Sequence, residues 1–490
     1  MLTTLLERGV AAAERGQVAE GLAQIRCACA ANPHDAEAYA QLGRWLSKLH
    51  RTDEALEAVE HALRQEPLTA ATLDTIGVVL SRAGRHGLAA QCFERATQLA
   101  PARADLQFNL ASSHKFIGRL AAARTAYEKC IELDPRHWRA YWALAHLRPA
   151  TAGCNDVARL ERALVSARLE SRDELLLRHA LARELEDLGR DAEAFEHLVA
   201  GKNRHRAAIG YNVDRDLLLF ETVARLFPAD TPLPPLHDVA AGPIFVVGLP
   251  RTGTTLVERV LSSHAQVASA GESQNFGVLL KRATGTQSPR VLDEETLARS
   301  LDVDLAEAGR EYLERTRPPG PKPRFVDKMP LNFFYLGHIA RALPNARFVV
   351  LRRDPRDTGL SLFRQLFATR MSYYDFALDL HDIARYYAAF DRLVGHWRAL
   401  LPDRLHEVSY EAFVTHFETE TRHLLAHCGL PEDPACAAFE RNAEPVATAS
   451  AVQVRQGLNA GSIGRWRRYE SQLAPMLETM RALGVRFPVR

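Results

Sequence analysis

The chain has 490 residues, 47% hydrophobic and 25% charged, long enough for two or more domains with cores of their own. Its formal net charge of +2 excludes a general polyanion binder, so no nucleic-acid partner is expected and any cationic site must be local. With seven lysines against 55 arginines, a lysine inside a candidate site is conspicuous.

The first expected elements are repeats. Prolines recur at Pro33, Pro67, Pro101 and Pro135, each 34 residues after the last. The same period links Leu42, Ile76, Leu110 and Leu144, then Gly43, Gly77, Ala111 and Ala145, then Ala55, Ala89 and Ala123, and the bulky series Val59, Phe93 and Tyr127. This is the tetratricopeptide (TPR) pattern, and it predicts an all-α solenoid of helix pairs. Small residues let the two helices of a unit approach, bulky ones fill the space between units, and proline ends the second helix. The first unit reads as degenerate, with Gly9, Ile25 and Ala28 in phase but Gly21 in place of the alanine. After Pro149 the register slips, and a further pair returns at Leu181, Ala182, Ala194 and Leu198 around the turn Leu188-Gly189-Arg190. Repeats are expected over 1–206, with a capping helix at roughly 213–227 and a proline-punctuated linker completing 207–242. The concave face of such an array holds a peptide in many solenoids, so a protein or peptide partner is expected; the alternative is an array that only buttresses its neighbour.

From 243 to 490, short apolar runs alternate with amphipathic stretches. Runs at 244–247, 324–326, 346–351 and 405–408 read as strands, predicting an α/β domain with a mostly parallel sheet and ligands beyond the C-terminal strand ends. Pro243-Ile244-Phe245-Val246-Val247-Gly248-Leu249-Pro250-Arg251-Thr252-Gly253-Thr254-Thr255 reads as a buried strand, a loop and a helix start. Gly248 and Gly253 have the G-x-x-x-x-G spacing that lets backbone N–H groups cradle an anion at a helix N-terminus. A nucleoside triphosphatase continues with lysine. Here that position is Thr254, and the loop's only cation is Arg251. Glu272 follows Ser269-Ala270-Gly271, Lys328 follows Phe325-Val326-Asp327, and Arg353 follows a strand and precedes a helix carrying Ser361. Tyr410 follows the last strand, and Arg455 and Ser462 lie in two polar segments near the C-terminus.

The Pro250–Thr255 loop, these later segments in this order and the fused repeats resemble sulfotransferases that use 3′-phosphoadenosine 5′-phosphosulfate (PAPS). The resemblance is to the tyrosylprotein sulfotransferase-like branch and its bacterial TPR-fused relatives, and it covers nearly the whole chain. It implies that Arg251, Thr252, Gly253, Thr254 and Thr255 hold the phosphosulfate and that Lys328 contacts the sulfuryl group and bridging oxygen. It places Arg353 and Ser361 on the 3′-phosphate and Tyr410 near the adenine. Arg455 and Ser462 fall in a segment that closes over the nucleotide, and Glu272 becomes the general base, a role suited to a carboxylate. Relatives carry Gly-Glu-Glu where this chain has Gly271-Glu272-Ser273, and an arginine where it has Gln365, with Arg364 adjacent. Glu272 as a helix-capping acid and His264 as base remain open, although His264 reads as a helix end.

The expected activity is therefore transfer of a sulfuryl group from PAPS to an acceptor hydroxyl, with no metal. Two alternatives stand beside it. One is a degenerate nucleotide kinase or GTPase using Asp327 or Asp354 for Mg²⁺; the other is a non-enzymatic TPR adaptor. Seven scattered cysteines without a C-x-x-C pair predict free thiols and a cytoplasmic setting. No apolar run of about 18 residues and no signal-peptide core are present.

Overall fold

The 34-residue period becomes helix pairs in the computed structural model, which describes residues 4–49, 51–166, 168–236, 238, 242–368, 372–442, 458 and 460–488. Four pairs open the chain: α1 (Leu5–Glu14) with α2 (Val18–Ala31), α3 (Ala36–Lys48) with α4 (Thr52–Leu63), α5 (Ala70–Arg82) with α6 (His86–Leu99), and α7 (Ala104–Phe116) with α8 (Leu120–Leu133). A Cβ built on Gly43 would lie 2.6 Å from Cγ1 of Val59, and one on Gly77 would lie 2.6 Å from the Phe93 ring. On Gly9 it would lie 2.9 Å from Cγ1 of Ile25. The bulky series thus fills the seam inside each unit, not the space between units, because it lands opposite the unit's own small residue. Gly21 is a requirement of the first seam, not a degeneracy: a Cβ there would lie 2.6 Å from the Ala13 methyl and from the Gly9 carbonyl oxygen.

The slip after Pro149 also has a structural cause. Helix α9 (Trp138–Ala145) is short, and the chain turns through a Thr151–Cys154 bridge into α10 (Val157–Ser166). Helix α11 (Ser171–Asp187) then packs against both α9 and α10. The turn expected at 188–190 leads into α12 (Asp191–Ile209).

The chain divides into two units, Met1–His197 and Leu198–Arg490. The division falls inside α12, earlier than the repeat boundary expected at 206. Helix α13 (Asp214–Leu226) forms where a capping helix was expected, but it packs within the second unit. Phe220 lies against Phe333, Phe334 and Tyr386, and Phe227 meets His338 and Trp397. These aromatic contacts bury enough apolar surface to make the helix part of that core. The proline-rich stretch is tied down too, with Arg404 donating to the Pro234 carbonyl and the Asp238 N–H to Asn345 Oδ1 at 3.1 Å.

The second unit is built on a five-stranded sheet, β1 (Ile244–Gly248), β2 (Val267–Gly271), β3 (Arg324–Asp327), β4 (Arg347–Arg352) and β5 (Leu405–Ser409), in the order β2-β3-β1-β4-β5 with every pairing parallel. Strand β1 is central and buried throughout, as its unbroken apolar run predicts. Four strands match expectation. Strand β2 does not, because Val-Ala-Ser-Ala-Gly has a single β-branched residue and no aromatic one to mark a strand. The chain leaves β1 for neighbours on either side, so a crevice opens at the C-terminal ends of the central strands. Among the described residues no helix is long and apolar enough to cross a membrane.

Candidate active site

All five strands deliver a candidate residue at the same edge of the sheet. From β1 the chain enters the loop and then α14 (Thr254–Ser263). Gly253 is the N-cap with φ 103°, and a Cβ there would lie 2.6 Å from the Tyr410 ring. Only glycine meets both demands. Arg251 is also left-handed, with φ 71°, a conformation that costs a non-glycine residue about 1–3 kcal/mol and is held where function needs it. Thr252, Thr254 and Thr255 are buried, and the Thr252 hydroxyl donates to the Leu249 carbonyl at 2.7 Å.

Arg353, just beyond β4, joins the loop to the later segments. Its guanidinium donates to the Arg251 carbonyl at 3.0 Å and to the Ser462 carbonyl at 2.6 Å, and lies 5.0 Å over the Tyr410 ring. Tyr410, beginning the helix after β5, pairs its hydroxyl with that of Ser462 at 2.9 Å. Ser462 is held there because Asp357, on the helix Pro355–Arg364, accepts from the Gly464 and Trp466 N–H groups at 2.6 and 2.9 Å. Ser361 is half-buried on the same helix. Tyr410 therefore lies against the loop, with Arg353 over its ring. Arg455 lies outside the described residues.

The electrostatics of this cluster are one-sided. Burial, then Arg353 and Arg364, hold the Arg251 guanidinium below its ordinary pKa. Like charges drawn together in this way favour an anion among them. Among the described residues the buried Arg353 Nε has no hydrogen-bond partner. Arg364, the last residue of the helix Pro355–Arg364, adds a further charge felt at Arg251, while the uncharged Gln365 side chain donates to the Leu366 carbonyl at 3.0 Å.

The other side of the crevice is a carboxylate–lysine centre. Lys328, fully buried at the end of β3, donates to Glu272, whose side chain is 43% exposed at the end of β2. Glu258 of α14 lies 3.9 Å from the same ammonium and accepts from the Ser269 hydroxyl at 2.6 Å. Burial raises the Glu258 carboxyl, while Lys328 and Ser269 pull it down. Beneath them Asp327 accepts from Tyr312 at 2.6 Å and is pushed up to about 7 by burial. Tyr374, tilted against Phe367 with ring centroids 4.7 Å apart, is raised first by burial and then by the Glu272 charge.

His264 is at the far end of α14. It accepts through Nδ1 from the Gln266 N–H at 3.0 Å and meets the Pro431 carbonyl through Nε2 at 3.0 Å, so both nitrogens are structural. Sequence reasoning missed Glu258, Ser269 and Tyr312. A charge inside an amphipathic helix reads as solvated until the helix is laid on β2 and β3.

Comparison with known proteins agrees with this arrangement. Residues 243–434 match the sulfotransferase family, and residues 104–137, the α7–α8 unit, match the tetratricopeptide repeat. An uncharacterized protein of Aquifex aeolicus (strain VF5) is 28% identical over 404 residues, covering 80% of this chain and 52% of that protein. The protein-tyrosine sulfotransferase of Drosophila melanogaster is 24% identical over 257 residues, covering 48% of this chain and 51% of that enzyme. The chain thus spans about half the length of these two relatives. The solved structure of YrrB, a TPR protein, is 17% identical with a TM-score of 0.28, covering 39% of this chain and 89% of its own. The chain carries a sulfotransferase-family domain over residues 243–434 and, over residues 104–137 of its helical first half, a tetratricopeptide repeat.

Proposed function

We propose that the protein moves a sulfuryl group from PAPS to an acceptor hydroxyl. The observation that carries this is Arg353 bonded to Arg251 in a glycine-bounded loop that has Thr254 in place of the kinase lysine, with the Arg364 charge also felt at Arg251. The orphaned Arg353 Nε fits an additional phosphate group. PAPS supplies a sulfuryl group already activated on a phosphate. Arg251 and the N–H groups at the start of α14 would hold its phosphosulfate end, and Arg353 and Ser361 its 3′-phosphate. Lys328 places positive charge where charge develops on the leaving phosphate. Glu272, exposed and beside Lys328, takes the acceptor proton.

The acceptor, in this reading, is a protein or peptide recruited by the repeats. The match of residues 104–137 to the tetratricopeptide repeat and the Drosophila relative's name support it.

Nucleotide binding tests the proposal. Adenosine 3′,5′-bisphosphate should raise the melting temperature without divalent metal, since a ligand that binds only the native state stabilises it. AMP should bind far more weakly, and Arg353→Ala should erase most of that difference. Equal binding of the two nucleotides, or a preference for ATP that depends on Mg²⁺, would sink the sulfuryl-transfer reading.

A further inference from the structure

We propose that Glu258 is the positioning residue that holds Lys328 at the reacting end of the site; the proposal rests on the role given to Lys328 above. Lys328 is fully buried, and two carboxylates lie against it. They are not equivalent. Glu272 is 43% exposed at the mouth of the crevice, and a group that takes the acceptor proton must exchange its partner during turnover. A buried ammonium stripped of its only counter-charge is strongly disfavoured. Glu258, 7% exposed, is the partner that stays.

The fold fixes that partner from three directions. Glu258 lies one turn into α14, the helix whose N-terminus faces the anion site, so it shares the rigid frame of the loop. Its Oε1 accepts from Ser269 on β2 at 2.6 Å, which leaves Oε2 turned to Lys328 at the end of β3. The Lys328 backbone N–H is pinned to the Gly271 carbonyl at 2.9 Å, so the ammonium is held at both ends of its side chain. Helix, edge strand and neighbouring strand meet at this carboxylate, and no mobile loop takes part.

The test uses the full chain and isotope-labelled lysine. With only seven lysines, the Lys328 side-chain resonance is assigned by its loss in Lys328→Arg. Glu258→Gln should displace that resonance, leave adenosine 3′,5′-bisphosphate affinity within roughly twofold, and lower kcat on the order of 10²-fold with little change in the KM for PAPS. Glu258→Asp should recover part of the loss, which a purely structural role would not require. Ser269→Ala should move the same resonance in the same direction with a smaller fall in kcat. An unmoved Lys328 resonance in Glu258→Gln would overturn the proposal, as would the same result in Ser269→Ala should the glutamine variant fail to fold. A kcat loss matched by lost bisphosphate affinity would overturn it too. A wild-type protein that turns over no PAPS would instead sink the sulfuryl-transfer reading, while the resonance still decides the role of Glu258.

Discussion

The repeat unit and the sheet unit use sequence distance in opposite ways. In the repeats, each small residue meets a bulky one 16 positions later, as Gly43 meets Val59 and Gly77 meets Phe93. The same contact returns every 34 residues. In the second unit, the cluster at Arg353 joins Arg251, Tyr410 and Ser462, the first and last of them 211 residues apart. Local seams make a fold whose stability is roughly a sum over neighbours. Convergent strand ends make a site in which one displaced residue disturbs groups contributed by every other strand. Substitutions in the first unit should therefore register in stability, and those at the strand ends in chemistry.

The largest effect expected from that contrast is at Glu272. Glu272→Gln should keep the fold and the bisphosphate affinity and lose roughly 10²–10⁴-fold in kcat, the usual contribution of a positioned base. His264→Ala should do the reverse, because both ring nitrogens are engaged in holding the end of α14. Steady-state kinetics beside thermal melts separate the two. A nearly active Glu272 variant, with kcat collapsed in the His264 variant, would reverse the assignment.

The next largest effect is on stability, and it lies inside the chemical centre. Burial lifts Asp327 to about 7, so the native state keeps a proton that the unfolded chain gives up near pH 4. The native state binds more protons across that window, and stability must fall as pH rises from about 4 to 7. The protonated form carries the stabilisation, which is complete at low pH and lost above 7. Asn at this position is neutral at every pH and retains an oxygen for the Tyr312 hydroxyl. Asp327→Asn should therefore be more stable than wild type by about 4 kcal/mol at pH 8 and by only about 1.5 kcal/mol at pH 5. Urea unfolding at the two pH values measures it; a difference that does not change with pH would show that Asp327 is ionised throughout.

How much of this was legible depended on the distance between partners. The repeat period is legible because both partners of each seam recur in phase, while which side of the seam the bulky residue fills shows only once the two helices of a unit are packed. The β1, β3, β4 and β5 ends stood out as apolar runs stopping at Gly248, Asp327, Arg352 and Ser409. Strand β2 was invisible because its residues are small. With it went Ser269 and the reason Glu258 is buried, since neither has meaning until α14 lies across β2 and β3. The aromatic face of α13 is readable as apolar, but its partners Phe333, Phe334 and Trp397 lie more than a hundred residues on, so the sequence alone offers it only as a cap on the repeats.

The smallest effect is the sharpest test of the comparison, because one substitution should take opposite signs in the two units. Gly395 lies within the helix Leu380–Leu400 with nothing within 4 Å of an added Cβ. Alanine there gains only the helix-propensity difference, about 0.5–1 kcal/mol. Gly77 lies in α5, where the same methyl would meet the Phe93 ring at 2.6 Å. The ring is 2% exposed and has nowhere to retreat, so an overpacking cost of about 1–3 kcal/mol opposes the same propensity gain. The cost wins, and Gly77→Ala should destabilise the first unit by about 1 kcal/mol while Gly395→Ala stabilises the second. Ala111, at the corresponding place in the next unit, shows that the position admits a methyl where the facing ring is built around it. Chemical unfolding followed separately for the two units gives both signs. Equal stabilisation by the two alanines would mean that the repeat seams relax freely, and the claim that they are set by one local contact would fail.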